Sequence, residues 1–147
     1  MGINGVIVTP LPIIKTKGGD VLHAMKSRDD GYLGFGEAYF SKVHPKAIKG
    51  WKLHKKMTLN LVVPIGSVRF ILYDNQDERN NANQFQEVIL EEKSIYSRLT
   101  IPPMIWVGFQ GVSKKTSLVL NLADIEHSTE EIERKELDEI KFNWSKS

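Results

Sequence analysis

The sequence predicts an all-β fold, a β-sandwich or a jelly roll, with one short helix near the C-terminus. Short runs rich in β-branched and aromatic residues recur about every ten residues, and this spacing is typical of both architectures. Turn-forming residues separate the runs, and no glycine-rich fingerprint follows any of them, which excludes P-loop and dinucleotide-binding folds. At 147 residues the chain is long enough to bury a core of its own, so we expect a single domain over residues 1–147.

The composition narrows the classes of function. The formal net charge is only +2 and no long basic block occurs, which argues against nucleic acid as the main partner. The absence of cysteine excludes disulfides, thiolate catalysis and cysteine-ligated metals. The stretch Met1–Pro12 is apolar but is broken by prolines and lacks a cationic leader, so neither a signal peptide nor a membrane span is expected. A cytoplasmic protein without a membrane partner is therefore predicted.

The predicted strands are apolar runs bounded by turn residues. In chain order they are Ala38–Val43, Met57–Val63, Val68–Tyr73, Phe85–Leu90, Tyr96–Ile101, Ile105–Phe109 and Leu118–Ala123. Turns are predicted between them from residues that favour turns, at Pro64–Gly66, Asp74–Asp77, Pro102–Pro103 and Gln110–Gly111. Residues 74–84, rich in Asn, Asp and Gln, are predicted to form an exposed loop.

The helix prediction depends on Ser128–Glu131, which fits a capping box with acidic residues in the first turn. Helical periodicity then continues weakly through Ile132 and Leu137. We expect the acidic side chains of this segment to lie on a solvated face, with a structural role and none in acid–base chemistry. They are Glu130, Glu131, Glu133, Glu136, Asp138 and Glu139.

The segment Ile48–Lys56 combines strand periodicity with a basic, titratable cluster. In a strand, Lys52 and His54 point to one face, and Trp51 and Leu53 point to the other. Either the polar face is simply exposed to solvent, or it lines the mouth of a barrel. In the second case a partner subunit or a terminal strand covers part of the apolar face, and the interpretation predicts a dimer.

A metal site would require clustered ligands, typically paired histidines and a carboxylate in a fold of this kind. The histidines here are scattered, and no His-x-His pair occurs among His23, His44, His54 and His127. We therefore expect no metal and no other cofactor. The lone histidines His23 and His44 are expected in loops or on the surface.

Two further residues allow alternative interpretations. Trp106 follows the rigid turn Pro102–Pro103, and its ring either stacks on a sugar or base or fills the core. Asp124 follows the apolar run Leu118–Ala123, so it either faces a cleft at a strand end or serves a turn or cap.

Short motifs form an ordered series along the chain: Thr9–Leu11, Gly19–His23, Gly36–Ser41, Lys49–His54 and Ile101–Pro103. This series resembles the dTDP-4-dehydrorhamnose 3,5-epimerase family and its cupin-like relatives. The short length and the run His54–Lys56 are also similar to the dTDP-sugar 3,4-ketoisomerases. The resemblance implies a cupin-like jelly-roll barrel, a homodimer without metal, and a nucleotide-linked 4-keto sugar as the substrate.

The chemistry of that family removes a proton from a carbon next to a carbonyl, which requires a base and a group that stabilises the enolate. Where the family carries Arg-Gly-x-His, this chain has Lys49–Lys52, so a lysine occupies the base position. His54 titrates near neutral pH and is the predicted catalytic base, and protonated Lys52 is predicted to stabilise the enolate. The predicted substrate-binding residues are Lys49, which would hold the pyrophosphate, Glu37, Tyr39, Trp106, Asn121 and Asp124.

The sequence therefore predicts an epimerase or isomerase of a nucleotide-linked 4-keto sugar that serves the biosynthesis of cell-surface polysaccharide such as lipopolysaccharide. The alternative is a non-catalytic sugar or nucleotide-sugar binding protein, and a third hypothesis is a structural partner in a biosynthetic complex. A shared cavity with a titratable group opposite His54 and Lys52 favours the enzyme. An open cavity without such a group favours binding alone.

Overall fold

The computed structural model describes residues 2–75 and 84–145, and these form two five-stranded sheets and one two-stranded sheet. The first sheet has the spatial order β1 (Ile7–Pro10), β9 (Ser97–Ile101), β6 (Leu59–Ile65), β11 (Ser117–Ala123) and β4 (Glu37–Val43). The second has the order β12 (Ile132–Arg134), β5 (Ile48–His54), β10 (Trp106–Gly111), β7 (Ser67–Asp74) and β8 (Gln84–Glu91). The small sheet pairs β2 (Ile13–Ile14) with β3 (Val21–Leu22).

The main hydrophobic core lies between the two large sheets. Side chains alternate along each strand, so the inward residues of one sheet pack against the inward residues of the other. Leu61 and Leu99 of the first sheet belong to the same buried cluster as Phe70 and Leu72 of the second. Two antiparallel sheets around one core confirm the prediction of an all-β jelly roll.

The predicted strands all form, with their ends shifted by a few residues. The short strands β1, β2, β3 and β12 are not predicted by the sequence, because their two to four residues are too few to show a period. The predicted turn Asp74–Asp77 and loop 74–84 lie largely outside the described residues. What is described there is that Asp74 ends β7 and pairs with Gln84 at the start of β8.

The predicted C-terminal helix takes another form. Thr129–Glu131 is a 3₁₀ turn, β12 follows it, and a second 3₁₀ turn spans Leu137–Glu139. Ser128 makes no side-chain capping hydrogen bond, and so short a helix is marginal without packing. Pairing β12 with β5 instead gives the segment the hydrogen bonds of a strand ladder. Within the two described ranges, no helix has the length and apolar character needed to cross a membrane.

A second apolar cluster covers the outer face of the second sheet, and we call it the outer cluster. It consists of Trp51, Leu53, Ile71, Trp106 and Ile140, with Tyr73, Phe142 and Trp144 packed against it. Arg69 holds the end of the chain there, because its guanidinium donates to the carbonyl oxygen of Trp144 at 3.2 Å. The chain's own C-terminal segment thus covers the apolar face of β5, where the sequence predicted a terminal strand or a partner subunit.

Candidate active site

A cavity opens between the two large sheets at the edge where β4 faces β5 and β12, and its volume is about 470 Å³. Both sheets contribute apolar residues, the first sheet adds uncharged polar side chains, and the second sheet and the segment after β12 contribute the charged groups. Its lining comprises Tyr39, Ser41, Lys49, Gly50, Trp51, Lys52, His54, Leu59, Leu61, Phe70, Val107, Phe109, Val119, Asn121, Arg134, Lys135, Glu136 and Glu139.

Strand β5 presents its polar residues to this cavity. Lys52 and His54 both line it, whereas Leu53 between them belongs to the outer cluster on the opposite face of the sheet. The alternation predicted from the sequence is therefore present, and the polar face lines the mouth of the barrel. It is not the freely solvated surface of the first interpretation.

The imidazole of His54 is paired with a buried carboxylate. Its Nδ1 lies 2.6 Å from Oε1 of Glu131, and the two side chains are only 7% and 4% exposed. The second oxygen of Glu131 accepts hydrogen bonds from the backbone amides of Lys56 at 3.1 Å and Met57 at 3.3 Å. An ionised carboxylate can only accept, so Nδ1 of His54 carries the hydrogen and Nε2 is the nitrogen left to take a proton.

The surroundings of His54 and Glu131 lower the pKa of both groups. Burial lowers the pKa of His54, and the hydrogen bond and negative charge of Glu131 oppose that shift without reversing it. Burial alone would raise the pKa of Glu131, but the hydrogen bonds from His54 and the backbone amides of Lys56 and Met57 hold it below its ordinary value. At neutral pH the pair is consequently a neutral imidazole beside a carboxylate.

The prediction that Glu131 lies on a solvated face is wrong. The helix that would have exposed it does not form, and the 3₁₀ turn with the following β12 directs its carboxylate toward His54. Glu136 and Glu139 also line the cavity, although both remain exposed. The spacing Ser128–Glu131 resembles a helix cap so closely that the sequence carries no separate signal for this contact.

Lys52 is half-buried beside a second cation. It is the register partner of Arg134 in β12, and both side chains line the cavity. Burial lowers the pKa of Lys52, the positive charge of Arg134 lowers it further, and Glu131 and Glu37 oppose the shift. An ammonium group with a lowered pKa is a stronger proton donor, which suits a role beside an oxygen that gains negative charge.

Lys49 lies at the rim of the cavity. Its Nζ donates to the carbonyl oxygen of Lys42 at 2.9 Å, across from β5 to β4, and lies 6.0 Å from the ring centre of Phe109. The side chain is exposed, so it remains accessible to an anion at the cavity mouth.

The wall opposite His54 carries Tyr39 of β4 and Asn121 of β11. The side-chain amide of Asn121 donates to the hydroxyl of Tyr39 at 3.0 Å, and its oxygen accepts from the backbone amide of Asn60 at 3.2 Å. Tyr39 is therefore the titratable group opposite the histidine and the lysine that the enzymatic hypothesis requires.

Three residues of the predicted substrate-binding set lie outside the cavity lining. Trp106 is 3% exposed in the outer cluster, where Nζ of Lys135 lies 4.8 Å from its ring centre, so it belongs to the core. Asp124 accepts from the backbone amide of Thr58 at 2.8 Å, the turn or cap role that was its alternative. Glu37 is partly buried, with one carboxylate oxygen that has no hydrogen-bond partner among the described residues, and it acts on Lys52 through its charge.

Among residues 2–75 and 84–145, no group of three or more histidine, aspartate or glutamate side chains comes together as a metal site would require. The clustered groups are instead the acid–base and cationic side chains already described.

The family model described as "FdtA: WxcM-like, C-terminal" matches residues 8–141 of the chain. No curated protein matches. Among solved structures, a dTDP sugar isomerase from Desulfovibrio desulfuricans G20 is 34% identical, with a TM-score of 0.92 over 99% of this chain and 94% of that one.

More distant solved structures share the fold. QdtA, a sugar 3,4-ketoisomerase from Thermoanaerobacterium thermosaccharolyticum solved with TDP, is 18% identical, with a TM-score of 0.74 over 91% of this chain and 90% of its own. A mutant of QdtA was solved with TDP-4-keto-6-deoxyglucose. A dTDP-4-dehydrorhamnose 3,5-epimerase from Elizabethkingia anophelis NUHP1 is 13% identical, with a TM-score of 0.79 over 98% and 83% of the two chains. These likenesses show that the fold is shared.

Proposed function

The chain belongs to the FdtA family (WxcM-like, C-terminal), and from this premise we propose that it isomerises a nucleotide-linked 4-keto sugar. The reaction would move a proton between the two carbons that carry the ketone and the neighbouring hydroxyl. The observation that supports this most is the buried hydrogen bond between His54 and Glu131, which leaves Nε2 of His54 as the basic atom at the cavity. The dTDP sugar isomerase that is 34% identical supports the same class of reaction.

In the proposed reaction, His54 takes the proton from C3 of the sugar while the C4 carbonyl oxygen gains the negative charge of an enediolate. The hydroxyl of Tyr39 gives its proton to that oxygen and then receives the proton of the C3 hydroxyl. His54 returns its own proton to C4, so the ketone moves from C4 to C3. One carbonyl is lost and one is gained, and the steps consume no other reactant.

Glu131 would act through His54 in this scheme. Its carboxylate accepts from Nδ1 and so holds the imidazole in the tautomer with a free Nε2. When His54 becomes an imidazolium during the reaction, the adjacent negative charge stabilises it. The two backbone amides that hold Glu131 keep the carboxylate in place and ionised.

The cations of the cavity suit the other end of the substrate. Lys52 and Arg134 are side by side on neighbouring strands, and like charges at directly opposed positions repel each other. A diphosphate would relieve that repulsion and form charge-assisted hydrogen bonds with both groups and with Lys49 at the rim. Lys52 lines the cavity from the same strand as His54, two residues away, and would also stabilise the enediolate.

The test is to incubate the full chain with TDP-4-keto-6-deoxyglucose in deuterium oxide and follow the sugar by NMR. Isomerisation yields a 3-keto product, and C4 carries deuterium only in the molecules for which the proton on His54 exchanged with solvent before its return. A 3,5-epimerase retains the 4-keto group and labels C3 and C5. The UDP-, GDP- and CDP-linked counterparts identify the nucleotide. Absence of product and of exchange with every substrate would remove the catalytic proposal.

A thermal-shift measurement on the same samples separates the binding alternative. A ligand that binds only the native state raises the melting temperature whether or not it is turned over. A raised melting temperature with neither product nor exchange would support a non-catalytic nucleotide-sugar binding protein.

Four predictions of the sequence stay predictions: the homodimer, the single domain over residues 1–147, the cytoplasmic location and the role in cell-surface polysaccharide biosynthesis. Light scattering on the purified chain tests the first. Deletion of the gene, with the surface polysaccharide analysed for a missing sugar, tests the last.

A further inference from the structure

We propose that Asn121 is a positioning residue that makes the hydroxyl of Tyr39 a proton donor toward the cavity. This inference rests on the proposed function, because it assigns a direction to the hydrogen bond that the isomerisation needs. It goes further than the proposed function by identifying a buried amide as the group that sets this direction. Asn121 is only 2% exposed, whereas Tyr39 is 37% exposed.

The orientation of the Asn121 amide follows from its partner in β6. A backbone N–H can only donate, so the atom of Asn121 that lies 3.2 Å from the amide of Asn60 is the carbonyl oxygen. The amide nitrogen is then the atom that lies 3.0 Å from the hydroxyl of Tyr39. An amide nitrogen carries two hydrogens and cannot accept a hydrogen bond, so it donates to the phenol oxygen of Tyr39.

The phenol oxygen of Tyr39 is thereby occupied as an acceptor, and its own hydrogen has to point elsewhere. Among the described residues, none accepts a hydrogen bond from that hydroxyl, and Tyr39 lines the cavity. The hydrogen is therefore available to an oxygen of a ligand in the cavity. This is the polarity required to protonate an enediolate oxygen opposite His54.

The sheet itself locks the amide in this orientation. The ladder between β6 and β11 includes the pair Leu61 and Asn121, and no pair is formed closer to the start of β6. The N–H of Asn60 consequently lacks a backbone partner in β11, and the side chain of Asn121 supplies the acceptor. Rotation of the amide would leave this buried N–H facing another donor, which costs about 1–3 kcal/mol.

The obvious alternative is that Asn121 merely satisfies the amide of Asn60, and Asn121→Asp separates the two roles. A carboxylate has nearly the same shape and still accepts from Asn60, and the melting temperature checks that the fold is retained. It has no hydrogen to donate, so the hydroxyl of Tyr39 turns to donate to it and is lost to the ligand.

The experiment is a double-mutant cycle of Asn121→Asp and Tyr39→Phe, with kcat, KM and melting temperature measured for each variant. We expect each single variant to lose kcat by about 10²-fold with a much smaller change in KM, which is the size of a lost donor to a developing oxyanion. The double variant should be no worse than Tyr39→Phe alone, and all melting temperatures should stay close to that of the wild type.

Several outcomes would overturn the inference. One is an Asn121→Asp variant with wild-type kcat. Another is that Asn121→Asp lowers kcat by the same factor in the Tyr39→Phe variant as in the wild type, which would show that Asn121 acts independently of Tyr39. A variant that melts far below the wild type would assign Asn121 a structural role instead.

Calorimetric titration with TDP-4-keto-6-deoxyglucose and with TDP keeps this test separate from the proposed function. If the wild type binds the sugar nucleotide without turning it over, the proposed function fails, yet both variants should still bind the sugar nucleotide about three- to tenfold more weakly. Their affinity for TDP alone should be unchanged. Equal affinities of the wild type and both variants for the sugar nucleotide would overturn the inference.

Discussion

The two faces of β5 differ completely in their surroundings although the strand has only seven residues. On the inner face, Lys52 and His54 line a cavity, and His54 is hydrogen-bonded to Glu131. On the outer face, Trp51 and Leu53 are 1% and 3% exposed within an apolar cluster. One face carries the candidate chemistry and the other carries the packing that holds the strand in place.

The C-terminal segment after residue 128 serves both faces. Glu131 and Arg134 contribute to the inner face, while Ile140, Phe142 and Trp144 cover the outer one. The difference teaches that strand alternation decides which side chains share a face, whereas residues distant in the sequence decide what each face can do. Variants on the two faces should therefore separate activity from stability.

The largest effect is expected from His54→Asn on the inner face. Its amide nitrogen can still donate to Glu131, so the carboxylate keeps a partner and the fold is retained. The variant lacks the basic Nε2, and loss of a general base reduces kcat by between about 10²- and 10⁴-fold. Turnover of TDP-4-keto-6-deoxyglucose, with the melting temperature as the control, checks this. Activity within a few fold of the wild type would mean that another group is the base.

The outer face should give the opposite result with Leu53→Ala. Truncating a buried leucine costs about 2–5 kcal/mol of unfolding free energy, because it removes apolar contacts and leaves a cavity. Urea denaturation measures the loss, and kcat of the folded protein should stay close to that of the wild type. Leu33→Ala is the matched control, since Leu33 is 68% exposed and its truncation should leave stability unchanged. A loss of kcat without a loss of stability would contradict the division between the faces.

Glu131→Gln tests whether the C-terminal segment tunes the inner face. In the wild type the carboxylate raises the pKa of His54 against the effect of burial, so removing its charge lowers that pKa further. His54 must be neutral to act as a base, and the acid limb of kcat/KM therefore moves to lower pH. We expect kcat to fall by roughly 10- to 10²-fold because the imidazolium loses its counter-charge. A pH profile of kcat/KM checks the sign, and an acid limb at higher pH would refute the assignment.

The smallest effect concerns Asp124, which follows β11 of the first sheet and belongs neither to the cavity lining nor to the outer cluster. Its carboxylate accepts from the amide of Thr58, so Asp124→Ala should cost about 1–2 kcal/mol, and Asp124→Asn should cost less because it keeps an acceptor. Neither variant should change KM, since Asp124 does not line the cavity. Denaturation and steady-state kinetics check the pair, and a raised KM would restore the substrate-binding role that the sequence predicted.

Much of the inner face was predictable from the sequence. A period of two places Lys52 and His54 together whatever the rest of the fold does, and β4 and β11 likewise place Tyr39 and Asn121 on inward faces. The resemblance to cupin-like epimerases singled out the same strands. The distance between the two walls and the hydrogen bond from Asn121 to Tyr39 were not predictable, because they depend on how the two sheets face each other.

The errors share a cause. Trp106 lies in a strand whose sequence pattern does not show which face of the sheet is covered. The C-terminal segment covers the outer face, on which Trp106 lies. Glu131 sits in a sequence with local helical character, but pairing with β5 and the hydrogen bond to His54 outweigh that weak preference. Local propensity amounts to tenths of a kcal/mol per residue, so tertiary contacts easily override it.

By itself the sequence determined the all-β class, the positions of the longer strands and the face of β5 that carries the histidine. These follow from alternation and turn chemistry, which act between near neighbours in the chain. Only the tertiary structure decided that Glu131 meets His54 and that the C-terminal segment closes the outer face. Those contacts join residues more than seventy positions apart, and their energy exists only once the sheets have assembled.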